Sequence, residues 1–364
     1  MHRITLNAQG ADALHITAGV YLVDDSNTGE FMINKWLTDS HSVPPAEGNP
    51  DTAADLLLIR AGGIGDLLQL TTVLADLHHQ QPDRRLGVSC IPRFSGVLEN
   101  LPFPVEIVAY PLPLEELARW EAHISLEDVV EANQHKHSTE ALAAACGVDA
   151  LTRPHPYFRP TLDELGAMQE RFPRKDTEKR LGIQLEASAK CRTWSAKSTI
   201  ELARRAIDKG WNVMAFGSPG TLPIDPKIEG FTNLTLADPP LTFREAATLA
   251  TSCDVLVVPD SAFCHVAGAC GIPAVALFAA FHWKFRTLYY DTVRAIQGKG
   301  RCAPCFHQVH AGREWPVDGP CNETGKCMPM FSIEPRRVMQ QVEAMHAKFQ
   351  HTPWSYDRTI IPSP

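Results

Sequence analysis

Residues 55–74 read DLLLIRAGGIGDLLQLTTVL, and the order of chemistry along them decides the fold. A buried-type strand (Leu56, Leu57, Leu58, Ile59) runs into a glycine turn (Gly62, Gly63, Gly65), and Asp66 and an apolar helix follow at once. Glycines let the chain reverse tightly and bring backbone N–H groups close to another molecule. The helix that follows aims its partially positive end at the same spot. A carboxylate there would repel phosphate, so Asp66 reads as placed for chemistry on a neutral group such as a sugar hydroxyl. A tight turn capped by Asp66 is the competing reading, and a short glycine motif alone does not decide between them. GGIGD is neither a dinucleotide fingerprint, since Leu67 and Leu68 replace the last glycine, nor a P-loop, which needs Gly-Lys-Ser/Thr.

Downstream the chain keeps a strand–helix rhythm. Strand 56–60 leads to helix 66–79, strands follow at 86–90 and 105–110, and residues 114–146 read as mostly helical. The proline-rich stretch 152–165 reads as an interdomain connection entering a helix. A second series then runs through strand 182–187, helix 196–209, strand 212–217 and a helix starting at Thr242, with Glu245 completing a capping box. Strands 254–259 and 274–278 and a final helix near 333–349 complete it. Such alternation implies parallel sheets covered by helices, so the fold class is α/β, with two Rossmann-like domains facing a cleft.

Residues before the rhythm alternate in polarity and read as two or three short strands, with a linker at 42–49. The expected organisation is therefore a small β appendage and linker at 1–50 and a first domain at 51–170. A second domain at 171–345 includes a Cys-rich loop at 300–330, and a tail spans 346–364.

Across 364 residues the hydrophobic fraction is 44% and the charged fraction 21%, as in soluble globular proteins. A net charge of -8 disfavours nucleic acid and anionic membrane as partners. No apolar run approaches a bilayer span and no signal-like segment opens the chain, so a cytoplasmic protein is expected. Cys90, Cys146, Cys191, Cys253, Cys264 and Cys270 lie singly and read as reduced core residues.

Two further stretches carry chemistry. SAKCRTWS (188–195) follows a strand, which puts Lys190 and Arg192 on a loop at the carboxyl end of a parallel sheet, where such sheets bind ligands. Arginine suits a forked grip on phosphate and lysine acts as a point charge, although two solvated cations are the commoner outcome. Trp194 suits a core aromatic. In PDSAFCHVAGACGIP (259–273), Asp260 and Ser261 are positioned to cap the next helix, and His265 falls one turn on among small residues. Cap hydroxyl, helix N-terminus and imidazole together suit a pyrophosphate, while a satisfied, partly buried histidine is the plainer reading.

Taken in order, these three motifs resemble the ADP-heptose:lipopolysaccharide heptosyltransferase family, glycosyltransferase family 9, over residues 55 to 345. The signature strand–glycine–Gly-Asp–helix appears as IRAGGIGDLLQLTTVL, the cation before tryptophan as RTW at 192–194, and the D-[ST]-G-x-x-H segment as Asp260-Ser261-Ala262-Phe263-Cys264-His265. The resemblance implies a GT-B fold, an inverting, metal-independent transfer and a nucleotide-sugar donor, with ADP-heptose foremost. It implies Asp66 as the catalytic acid residue, and Arg192 with Lys190 on the diphosphate. Asp260, Ser261 and His265 would meet the nucleotide sugar beside the Gly62, Gly63 and Gly65 backbone. Ala262 stands where the family usually has glycine, and AAFHWKFRTLYY (279–290) lacks its usual Gly-Pro-Ser/Thr. The acceptor would be a glycan, a lipopolysaccharide or a protein.

Cys302, Cys305, Cys321 and Cys327 follow the pattern C-x2-C-x15-C-x5-C in a Pro- and Gly-rich stretch. Four thiolates suit a structural zinc or iron that staples a long loop, with His307 and His310 as alternative ligands and a disulfide as competitor. The autotransporter-modifying branch of the heptosyltransferases is similar in carrying a cysteine-bound iron and an N-terminal β appendage, and the appendage suits a homo-oligomer. Two other classes compete with a transferase: an NAD-dependent oxidoreductase, which the incomplete glycine fingerprint disfavours, and an idle nucleotide-binding or assembly module.

Overall fold

The computed structural model describes residues 2–6, 19–23, 37–42, 49, 51–221, 228–306 and 320–349. The linker at 42–49 falls almost wholly outside them, as do His307, His310 and the tail beyond Phe349. The described chain divides into two units, one within residues 1–133 and 138–153, the other within 134–137 and 154–364.

In the first unit, β1 (His2–Leu6), β2 (Gly19–Val23), β3 (Leu37–Ser42), β4 (Asp55–Ile59), β5 (Arg85–Cys90), β6 (Glu106–Ala109), β7 (Leu112–Pro113) and β8 (Ala122–Ser125) form two sheets. One is antiparallel in the order β3-β1-β2-β7, and the other is parallel in the order β6-β5-β4-β8. The apolar run Leu56–Ile59 is fully buried, as a central parallel strand requires. Each such side chain contributes on the order of 2 kcal/mol. Ile4, Tyr21 and Val23 share one core with Leu57, Ile59, Val108 and Leu112, so the antiparallel sheet packs onto the parallel one.

The stretch 114–146 is not mostly helical. It holds β8 between the helices Leu114–Leu117 and Val129–Ala132, with a longer helix Ser138–Ala145 after them. A four-residue strand, AHIS, shows too little alternation to be read from sequence, yet Leu58 pairs with Ile124 through it.

The second unit carries β9 (Lys179–Gln184), β10 (Trp211–Phe216), β11 (Phe231–Asn233), β12 (Val255–Pro259), β13 (Ala274–Phe278) and β14 (Val293–Gln297). All are parallel, in the order β11-β10-β9-β12-β13-β14. In each parallel sheet the chain winds first to one side of its opening strand and then to the other. The reversal falls between β4 and β8 in the first and between β9 and β12 in the second. Ligands of open α/β sheets bind at such reversals, beyond the carboxyl ends of the strands.

The six singly spaced cysteines are buried free thiols. Thr242 and Glu245 form the capping box of helix Phe243–Ala250. At the start of helix Ile64–Gln80, however, the cap is Gly63 with φ 80°, and no side chain caps it; Asp66 sits in the first turn instead. A Cβ on Gly63 would collide with the Asp66 carboxylate, so glycine is required both for the left-handed backbone and for the acid lying over it. Gly63→Ala is expected to cost about 1–2 kcal/mol, read as a lower urea midpoint of the full chain. An unchanged midpoint would show that the turn tolerates the methyl group.

Candidate functional site

The reversal in the first sheet is bridged by Arg60, the residue directly after β4. Its guanidinium is buried, with the side chain 6% exposed. Nη2 lies 2.6 Å from Asp66 Oδ2 and 3.3 Å from Glu131 Oε1, while Nη1 donates to the Leu126 carbonyl at 3.1 Å and sits 3.5 Å from Glu127 Oε2. The Ala61 N–H donates to the other oxygen of Glu127. Burial works against the charge on Arg60, but Asp66, then Glu131 and Glu127, outweigh it and hold its pKa well above the ordinary value. One cation thus ties the turn after β4 to the turn after β8 and orients Asp66. One helical turn beyond Asp66 on the same face, Gln69 is fully buried, and neither polar atom of its side chain has a hydrogen-bond partner among the described residues.

The second reversal is bridged in the same manner. Lys190, Cys191 and Arg192 form a short 3-10 turn after β9. Thr193 Oγ1 folds this loop by accepting from Ala187 N and donating to the Ala189 carbonyl, each at 3.1 Å. Arg192 Nη1 donates to the Asp260 carbonyl at 3.3 Å and lies 3.7 Å from Asp260 Oδ2, and Nη2 donates to Ser188 Oγ. Lys190 is exposed on the same turn. Asp260 is buried, and its Oδ2 has no hydrogen-bond partner among the described residues.

Ser261 occupies the N-cap position of helix Ala262–Cys270 but does not cap it; its hydroxyl donates to Gln184 Oε1 at the end of β9. His265 is buried, and its Nδ1 lies 2.9 Å from the Tyr290 hydroxyl. A Cβ on Gly268 would come within 2.6 Å of the Tyr290 ring, so that glycine makes the pairing possible.

The sequence reading therefore assembled Lys190, Arg192, Asp260, Ser261 and His265 in one unit, and Gly62, Gly63, Gly65 and Asp66 in the other. It missed Arg60, Glu127, Glu131, Gln69, Gln184 and Tyr290. Arg60 was open to discovery, being the residue that leaves the carboxyl end of the central strand. Glu127 and Glu131 were hidden because β8 was not seen, and Tyr290 carries no periodic signal.

Three of the four clustered cysteines pack against the second unit's core, where Cys305 and Cys321 lie beside Cys327, Cys191 and Trp194. Burial, then the backbone of Met330 in opposition, and the nearby Cys321, Cys305 and Cys302 leave the Cys327 thiol pushed up to about 11. Burial, opposed by Arg192 and reinforced by Cys327, Cys321 and Cys305, pushes Cys191 up to about 12. As a donor set these thiols suit zinc or iron. Among the described residues no three His, Cys, Asp or Glu side chains are arranged to hold a metal ion.

Residues 127–315 match the model of glycosyltransferase family 9 (heptosyltransferase), and the chain belongs to that family. It is a glycosyltransferase, which sets aside the oxidoreductase and the idle module. No curated protein sequence matches it. Among solved structures it is similar to the E. coli ADP-heptose LPS heptosyltransferase II, at 16% identity over 81% of this chain and 99% of that one, with a TM-score of 0.63. The iron-containing dodecameric glycosyltransferase TibC from enterotoxigenic E. coli H10407 gives 14% identity over 86% and 80%, with a TM-score of 0.59. TibC in complex with ADP-D-beta-D-heptose gives 13% over 95% and 91%, with a TM-score of 0.58. At these identities the likeness speaks for a shared fold. Among the described residues no helix is long and apolar enough to cross a membrane.

His137 bonds to the backbone of Arg286 in the second unit. Burial first, then His265 and Arg286, push its pKa down to about 3. Its folded value lies below the unfolded one, so its contribution is complete above pH ~6.5 and is lost as the pH falls, because only the unfolded chain takes the proton. Between pH 7.5 and pH 5 the native chain should therefore lose about 2 kcal/mol more stability than His137→Gln, measured by urea unfolding at both values. Equal losses would remove His137 as the cause.

Proposed function

We propose that this chain is an inverting heptosyltransferase that works without a catalytic metal, moving the sugar of ADP-heptose to a hydroxyl of a glycan, lipopolysaccharide or protein in the cytoplasm. What carries the reading is the paired arrangement at the two sheet reversals, a fixed carboxylate in one unit and a cationic turn beside a helix N-terminus in the other. The donor class is supported by the similar structures, of which one holds ADP-D-beta-D-heptose.

In this mechanism the acceptor oxygen attacks the anomeric carbon, the bond from that carbon to the diphosphate oxygen breaks, and Asp66 takes the hydroxyl proton. Arg60 beside it favours the ionised carboxylate that a base must present. The departing ADP gains negative charge, which Arg192, Lys190 and the N–H groups opening helix Ala262–Cys270 are suited to stabilise. The buried Oδ2 of Asp260, 3.7 Å from Arg192, helps orient that cation, and Ser261 and His265 line the same helix. The backbone of Gly62, Gly63 and Gly65 admits the sugar close to Asp66. We also assign a structural zinc or iron to Cys302, Cys305, Cys321 and Cys327, where it would close the loop between them; its support is their C-x2-C-x15-C-x5-C spacing and the likeness to the iron-containing TibC. Self-association through the β appendage fits the dodecameric state of TibC.

Mass spectrometry of the nucleotide released from a panel of nucleotide sugars tests the donor, with ADP from ADP-heptose expected. Asp66→Asn should lower transfer at least ~100-fold while donor affinity stays within a few-fold; a near-native rate would remove Asp66 as the base. Arg192→Ala should weaken nucleotide binding sharply by calorimetry, and unchanged binding would take Arg192 out of the site. Elemental analysis of the purified protein is expected to find close to one zinc or iron per chain, lost on replacing Cys302 and Cys305 together. A metal-free protein would overturn that assignment.

A further inference from the structure

We propose that Glu131 is a positioning residue of the transfer reaction: it shares a single guanidinium nitrogen of Arg60 with Asp66 and so keeps that aspartate from being locked into a closed, two-membered ion pair. The inference rests on the reading of Asp66 as the base. Arg60 Nη2 stands 2.6 Å from Asp66 Oδ2 and 3.3 Å from Glu131 Oε1, so the two carboxylates draw on one proton donor. Glu127 takes part of the other nitrogen, at 3.5 Å. The second oxygen of Glu131 is buried and has no hydrogen-bond partner among the described residues. Its charge is thus directed at Arg60, and through Arg60 at Asp66.

The chemistry explains why a base needs this arrangement. A carboxylate paired alone with arginine holds its proton ~1–3 pH units more weakly than a free one. A base that weak accepts the acceptor's proton poorly, since general-base efficiency falls with basicity. Extra carboxylates on the same cation act in the opposite sense, because like charge favours protonation. Asp66 then stays oriented by Arg60 while giving up less of its affinity for a proton.

Other charged groups stand on the elements around Asp66. Its own helix carries no further charge before Asp76. The turn after β8 adds Asp128, and burial lowers the pKa of His123 on β8 itself. The 3-10 helix Pro92–Leu98 and the helix Ser138–Ala145, which pack on the Asp66 helix, contribute Arg93 and Glu140.

The test is the pH profile of kcat/KM for the full chain with Glu131→Gln and, separately, Glu131→Ala. In both, the acid limb should move to lower pH by about 0.5–1 unit, with a plateau several-fold lower and donor KM unchanged. A purely structural role would leave the limb where it is and make the alanine variant alone defective, and that result overturns the proposal. Asp66→Asn, measured beside them, separates the two ideas. If it is inactive while the Glu131 limbs coincide with the native one, the base stands and Glu131 plays no part. If it is active, both assignments fall.

Discussion

Each parallel sheet of this protein depends on one arginine that ties together the two turns at its reversal point. Arg60 joins the turn after β4 to the turn after β8, and Arg192 joins the turn after β9 to the turn after β12. Both stand where adjacent strands diverge and backbone carbonyls are left without a strand partner, and both donate to such a carbonyl. Both also meet an acid, Asp66 in one case and Asp260 in the other. Arg60, the more deeply buried of the two, is costly to desolvate, and its partners repay that only when the geometry is good. Removing one partner would leave an uncompensated charge, so the turns are held in a narrow set of conformations. A catalytic or binding constellation needs that rigidity in its supporting shell.

The second unit extends the same logic inward. Ser261 is turned away from its helix and fixed by Gln184, while His265 is fixed by Tyr290. Both side chains are thus held in one orientation by partners within the same unit. The turn bearing Arg192 is itself anchored from below. Cys191 and Trp194 sit in the core that also receives Cys305, Cys321 and Cys327, and Trp194 Nε1 donates to the Ile333 carbonyl at 3.1 Å. The cysteine-rich region therefore lies against the base of the cationic turn. Whatever orders those thiols also bears on the placement of Arg192.

Much of this was legible in the sequence because it depends on local pattern. The run Leu56–Ile59, the Thr242 and Glu245 capping box and the alternation of strand and helix all express themselves within a few residues. What was hidden depends on partners far apart in the chain. Gly63, Asp66 and Ser261 show the limit most clearly. A rule that puts a side-chain cap before each helix predicts Asp66 and Ser261 as caps, but both side chains turn to other partners, Arg60 and Gln184. Arg60 and Glu131 lie 71 positions apart, and only the pairing of β8 with β4 brings them together. A four-residue strand has too few positions to display an alternating pattern, so the acids it delivers could not be anticipated.

The failed caps carry a chemical consequence. A side chain that caps its own helix consumes an N–H group and shields the positive end of the helix. With Gly63 as the cap residue at one site, and Ser261 engaged by Gln184 at the other, no side chain covers either helix start. Uncapped helix starts are ordinarily a loss of stability, on the order of 1 kcal/mol each. They are retained here at the two reversal points, where exposed N–H groups and a positive helix end favour an anion or an ionised carboxylate. In the first unit that carboxylate is supplied by the chain itself, as Asp66. In the second, Asp260 stands before the helix with a carboxylate oxygen 3.7 Å from Arg192. The two helix starts thus differ in whether an acid of the chain lies within the first turn.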